Sequence, residues 1–193
     1  MEYIHNFKID PLTIVSNNWK RPFDKEQYFT KYIPEWQSIF TQDFLDVFED
    51  HIKIAMVFNK PKNWNETSKG NSVHVDEGEI ICAMNIVLPT TDNLSLMEWF
   101  HTDIDHKELL IGSNSNYADR WNGVNAWTQN RFQLLHQSHI DNASTLVRVD
   151  VPHRVVVSQG ARVCISVRFK EKFTVWSDAV TYVESLFQEL RHK

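Results

Sequence analysis

Glycine, proline, cysteine and positive charge are all scarce in this chain. Five glycines and six prolines among 193 residues exclude a collagen-like or low-complexity chain. The two cysteines, Cys82 and Cys164, both fall inside β-branched apolar stretches. The expectation is two free buried thiols in a reducing cytoplasm. Lys and Arg total 20 against 25 Asp and Glu, a formal net charge of −5. That leaves no overall basic footprint, so broad nucleic-acid binding is disfavoured. No apolar run reaches membrane-spanning length. The first eight residues lack the basic start and apolar core of a secretory signal, so a cytoplasmic protein is expected.

The content that remains is that of a folded core. A chain of this length is normally one domain, read here as 1–193, and 42% hydrophobic residues suffice for a sizeable interior. Seven Trp and twelve Phe are many, and some should line a cavity or a partner surface.

Taken in order, residues 2–9 alternate weakly and predict an edge strand closed by Asp10-Pro11. Residues 11–34 read as irregular, punctuated by Pro11, Pro22 and Pro34. Trp36, Ile39, Phe40, Phe44, Val47 and Phe48 recur at helical spacing and predict a helix over 34–50, with Pro34 at its start. Strands are expected at 52–58, 72–76, 79–88, 94–100, 132–140, 144–157 (broken at Pro152) and 161–169. The strand over 79–88 is apolar on both faces, as a doubly buried strand should be. Asn85 is its exception, either a satisfied structural amide or a contact to a bound ligand. Residues 101–130 are polar, with Trp121 and Trp127 embedded. A long aperiodic segment of this kind reads as a lid, which would bring Trp99, Trp121 and Trp127 to the open side of the site. The last strand has two faces. Val163, Ile165, Val167 and Phe169 must meet a core, while Arg162, Cys164, Ser166 and Arg168 face solvent or a polar cavity. Ser177-Asp178 should cap a final helix with Val180, Val183, Leu186, Phe187 and Leu190 as its apolar stripe. Many short strands with two flanking helices predict a mainly β antiparallel barrel or jelly roll with helices outside.

The chemistry-bearing stretch is His74-Val75-Asp76. Residues two apart on a strand point the same way, so an imidazole and a carboxylate stand side by side just before the turn at Gly78. They make two-thirds of a 2-His-1-carboxylate face suited to Fe(II), and His153 in Val151-Pro152-His153-Arg154-Val155 offers the third ligand. A second His-x-Asp, His101-Thr102-Asp103, is followed by a charged run instead of a buried strand and is disfavoured. His136 and His139 are spaced for a helix face but have no evident third ligand, so they read as surface or pocket histidines. Glu77 and Asp150 read as solvated.

His74-x-Asp76, the strand over 82–88, Val151-Pro152-His153-Arg154-Val155 and Gly160-Ala161-Arg162 together resemble the Fe(II)/2-oxoglutarate-dependent dioxygenases. Their order is similar to that of the prolyl-hydroxylase and phytanoyl-hydroxylase branches, across roughly 52–170. The resemblance implies a double-stranded β-helix (jelly-roll, cupin-like) core. It implies His74, Asp76 and His153 as Fe(II) ligands and catalytic centre. It also implies that Arg162, nine positions after His153, pairs with the distal carboxylate of 2-oxoglutarate, since a guanidinium fork binds a carboxylate bidentately. Ser166 and Asn85 would line the co-substrate pocket. Many relatives carry Arg-x-Ser where this chain has Arg162-Val163-Cys164, and Arg168 is a second candidate for the salt bridge. The implied partners are 2-oxoglutarate, dioxygen and a substrate the sequence does not name. Two other classes fit the same residues: a cupin-like metalloenzyme that does not use 2-oxoglutarate, and a non-enzymatic jelly-roll binding or structural protein.

Overall fold

The computed structural model describes residues 2–19, 29–60, 73–76, 80–89, 94–104, 110–111, 131–140, 144–159 and 162–193. The turns at Gly78 and Gly160, Glu77, Trp121, Trp127 and most of the expected lid lie outside them. The strands are β1 Ile4–Asn6, β2 Phe29–Tyr32, β3 Ile52–Lys60, β4 Val75–Asp76, β5 Cys82–Val87, β6 Leu94–Thr102, β7 Leu110–Ile111, β8 Phe132–His139, β9 Ser144–Arg148, β10 His153–Gln159 and β11 Arg162–Phe169. The helices are α1 Pro11–Ile14, α2 Gln42–Phe48 and α3 Trp176–Arg191.

The protein is mainly β, with antiparallel sheets and a few flanking helices. A six-stranded sheet runs in the order β1-β9-β5-β11-β3-β2, a three-stranded sheet in the order β10-β6-β8, and β4 pairs with β7 alone. The β-branched run over 144–157 is split between the two larger sheets, since 149–152 carries the chain from β9 in one to β10 in the other. Among the described residues, no helix is long and apolar enough to cross a membrane.

Strand β11 is buried along all eight residues. Its apolar face, Val163, Ile165, Val167 and Phe169, joins Met84 and Ile86 of β5 and Ala55 and Val57 of β3 in the main core. Helices α2 and α3 close that core through aromatic rings at i, i+4 spacing. Phe44 stacks on Phe48 at 4.3 Å, and Phe48 lies 5.0 Å from Phe187 of α3. A second cluster, Ala83, Met97, Trp99, Ile140, Val147 and Val149, fills the space between the two larger sheets.

Several local expectations are corrected. The helix over 34–50 is broken into a 3-10 turn at Trp36–Ile39, α2, and a second 3-10 turn at Glu49–His51. The break has a backbone cause. Ile39 O accepts from Ser16 N at 2.8 Å and Thr41 N donates to Ile14 O at 2.8 Å, so groups a continuous helix would need are used by the end of α1 and the residues that follow it. The described part of 11–34 is less irregular than expected, for Asp10 caps α1 by accepting from Leu12 N. Helix α3 begins at Trp176, with Val175 at its N-cap and no side-chain cap. The Ser177 hydroxyl is turned to Asp178 Oδ1 at 3.4 Å instead, although Asp178 does sit in the first turn. His136 and His139 lie on a strand, where three-apart residues point to opposite faces.

The burial contrast yields a stability prediction. Ile165, wholly buried on β11, should lose about 2–5 kcal/mol on truncation to Ala. Leu135, 46% exposed on β8, should lose less than about 0.5 kcal/mol. Urea unfolding of the two variants measures the difference, and equal losses would contradict the assignment of the core.

Candidate metal centre

Two short backbone contacts bring the predicted ligands together. His74 N donates to His153 O at 2.9 Å and His153 N donates to His74 O at 2.8 Å. This antiparallel bridge sets the start of β10 beside the residue preceding β4. Asp76 N donates to Val149 O at 3.1 Å, which places the carboxylate at the same end. The rings of His74 and His153 have centroids 4.4 Å apart. His74 Nε2 is 3.7 Å and His153 Nε2 4.0 Å from Asp76 Oδ1. One ligand atom from each of His74, Asp76 and His153 lies within 4.8 Å of the others, a spacing that could hold a metal ion.

Local contacts orient two of the three side chains. His153 Nδ1 lies 2.8 Å from Val151 O. A carbonyl can only accept, so Nδ1 carries a proton, which leaves Nε2 as the nitrogen turned toward Asp76. For Asp76, burial pushes the carboxyl up, but Arg168, then His153 and His74, pull it further down, and it ends below the usual carboxylate range. It is the anionic oxygen ligand such a site needs.

Asp76 Oδ2 is held by Arg168 Nη2. Arg168 Nη1 donates to Ser166 Oγ at 2.6 Å, and Ser166 donates to Asn85 Oδ1 at 2.8 Å. Asn85 is therefore tied to Ser166, its direct neighbour across the β11–β5 ladder. The polar face of β11 is inside the protein: Arg162 is 3%, Ser166 3% and Arg168 9% exposed. Since Arg168 and Ser166 reach Asp76 and Asn85 from that face, Arg162 shares the side that carries the triad. Its situation is the opposite of Arg168's. Among the described residues, Arg162 Nε and Nη2 are buried with no hydrogen-bond partner. Of the two arginines, Arg168 is committed to Asp76 and Ser166, whereas two of the three guanidinium nitrogens of Arg162 have no hydrogen bond among the described residues.

The other sequence candidates go elsewhere. Asp103 pairs with Arg131 at 2.8 Å and His101 is exposed, so the second His-x-Asp is not part of this cluster. Asp150 is not simply solvated. It takes Arg148 in a forked ion pair, Nε to Oδ1 at 2.9 Å and Nη2 to Oδ2. Trp99 is no cover residue, being fully buried in register with His153 and donating its indole N–H to Arg148 O at 2.9 Å. His136 stacks on Tyr3. Both cysteines are buried and neither is in a disulfide among the described residues. Burial pushes the Cys82 thiol up to about 12, which removes it as a thiolate. Sequence reasoning missed the Arg168–Asp76 pair. The even spacing of 162, 164, 166 and 168 put Arg168 on the correct face, but nothing local pointed to residue 76 as its partner.

No family model matches the chain, and a search of curated proteins finds no match either.

The lowered pKa of Asp76 carries a pH prediction. A carboxyl whose folded pKa lies below its unfolded one, about 3.9, stabilises the fold above that value, and the contribution is lost as pH falls through the folded pKa. Unfolding free energy of the metal-free protein should therefore drop on acidification below about pH 4. The drop should be shallower in Asp76→Asn. Urea titrations across that range check it, and equal slopes would mean that Asp76 is not the responsible group.

Proposed function

We propose that this protein is an Fe(II)- and 2-oxoglutarate-dependent oxygenase on a double-stranded β-helix core. The strand order supports the core. From β3 to β11 the chain visits the six-stranded sheet with β3, β5, β9 and β11, and the three-stranded sheet with β6, β8 and β10. The segment at His74 and β4 joins the smaller sheet through the His74–His153 bridge. Seven strands divided in this way over two sheets, with the His74 segment bridged to the smaller one, agree with a jelly roll.

The observation that carries the reading is Arg162. A buried guanidinium without partners costs several kcal/mol. Its planar fork suits a carboxylate, and its face of β11 also bears the groups tied to Asp76. A metal triad alone would fit a cupin-like enzyme equally well. The triad, with two guanidinium nitrogens of Arg162 left without a hydrogen bond among the described residues on the same interior face, favours a co-substrate that both chelates a metal and ends in a carboxylate, as 2-oxoglutarate does.

Each residue then has a role. His74 and His153 offer neutral imidazole nitrogens and Asp76 offers Oδ1. Arg162 binds the distal carboxylate, and Ser166 and Asn85 form the polar wall beside it. Trp99, Met97 and Val147 keep water from the space between the sheets. When bound, Fe(II) supplies dioxygen activation coupled to decarboxylation of the 2-oxo acid to succinate and CO₂, with the second oxygen atom going to the substrate.

Calorimetric titration of the Mn(II)-loaded protein with 2-oxoglutarate tests the reading. Wild type should bind, and Arg162→Ala should lose about 2–5 kcal/mol of affinity while still binding Mn(II). A large loss in Arg168→Ala with none in Arg162→Ala would move the anion site. Wild type that takes up Mn(II) but no 2-oxoglutarate at millimolar ligand would favour the cupin-like enzyme, and no stoichiometric metal would favour a non-enzymatic jelly roll. Fe(II)-loaded wild type should form succinate from 2-oxoglutarate under air, even slowly without substrate.

A further inference from the structure

We infer that Arg168 is a positioning residue for Asp76, holding one carboxylate oxygen so that the other is presented to the two imidazoles. The inference rests on the metal-centre reading above. A carboxylate on a short side chain turns broadly about its last torsion. It could approach a cation with one oxygen, with both, or not at all. Strand β4, which carries Asp76, is only two residues long and gives little local restraint. Arg168 supplies what β4 lacks. With Arg168 on Oδ2, Asp76 Oδ1 is left 3.7 Å from His74 Nε2 and 4.0 Å from His153 Nε2.

Arg168 is itself anchored. Its other terminal nitrogen donates to Ser166 Oγ at 2.6 Å, and Ser166 donates to Asn85 Oδ1 at 2.8 Å. Both Ser166 and Asn85 are buried on adjacent strands of the six-stranded sheet. The donors run one way along this chain. A guanidinium can only donate, so Ser166 must accept from it and is free to give its own proton to Asn85. One rigid fork thus ties a ligand on a two-residue strand to the middle of the largest sheet. Lysine could keep the charge, but it would lack two N–H groups at a fixed angle.

The competing role is that of a counter-charge that only offsets a buried carboxylate. The two roles differ in sign. Removing a mere counter-charge leaves Asp76 more negative toward a divalent cation and should tighten metal binding. Removing a positioning group should weaken it, as loss of a partner behind a metal ligand does, by about 10–100-fold.

The test titrates Mn(II), read by electron paramagnetic resonance of the free ion, and records the visible absorption of the Co(II)-loaded protein. Wild type, Arg168→Met, Arg168→Lys and Ser166→Ala are compared. Arg168→Met should bind Mn(II) about 10–100-fold more weakly and alter the Co(II) bands. Arg168→Lys should recover only part of the loss. Ser166→Ala keeps the ion pair but removes its anchor, and should show a smaller loss with shifted Co(II) bands. Unchanged or tighter Mn(II) binding by Arg168→Met, or full rescue by Lys, overturns the inference. Should Arg168→Met not fold, Ser166→Ala decides: wild-type affinity with wild-type Co(II) bands overturns it. These outcomes, with wild type binding metal normally, leave the metal centre standing. Wild type that binds neither ion removes the metal centre and this inference together.

Discussion

Strand β11 has no exposed residue, yet one of its faces carries two guanidinium groups. Much of the molecule follows from that conflict. Its apolar side chains are covered by α2 and α3 through a ladder of phenylalanines. Its polar side chains are equally cut off from water, and a buried cation is costly unless another group meets it. Arg168 is met by Asp76, which arrives from far away in sequence, and by Ser166 next to it. Asp76 is therefore fixed by the same contact that makes Arg168 tolerable inside the protein.

The site is assembled from backbone pairing as much as from side chains. The mutual hydrogen bonds between His74 and His153 join two chain segments that each carry a ligand. The Asp76 amide is secured to Val149, just before the turn that leads into β10. Side chains held this way are already spaced as a metal would need them, and pre-arranged groups would cost less to organise on binding one. The Val151 carbonyl completes the arrangement by choosing the tautomer of His153.

The two arginines of β11 differ in how the fold meets their charge. Arg168 is satisfied internally. Arg162 keeps Nε and Nη2 buried without partners among the described residues, a cost to the free protein that a hydrophobic residue there would avoid. Such local costs are what binding sites retain. An anion that meets Arg162 would offset the cost and stabilise the fold by linkage.

Periodicity made a good part of this legible in the sequence. Alternation placed Val163, Ile165, Val167 and Phe169 on the core and Arg162, Cys164, Ser166 and Arg168 opposite, because side-chain direction on a strand is a local property. The same rule set His74 and Asp76 on one side, and the apolar stripe of α3 followed from its helical period. Local rules failed where distant groups intervened. The helix over 34–50 is interrupted because the backbone near Phe40 bonds to residues 14 and 16. Asp150 and Asp103 looked solvated or ligand-like until the fold gave each an arginine. Above all, Arg162 and Arg168 are equivalent in the sequence, six apart on one strand face. Only the tertiary structure distinguishes them, since the partner of a buried charge comes from whichever remote segment packing brings within hydrogen-bond reach.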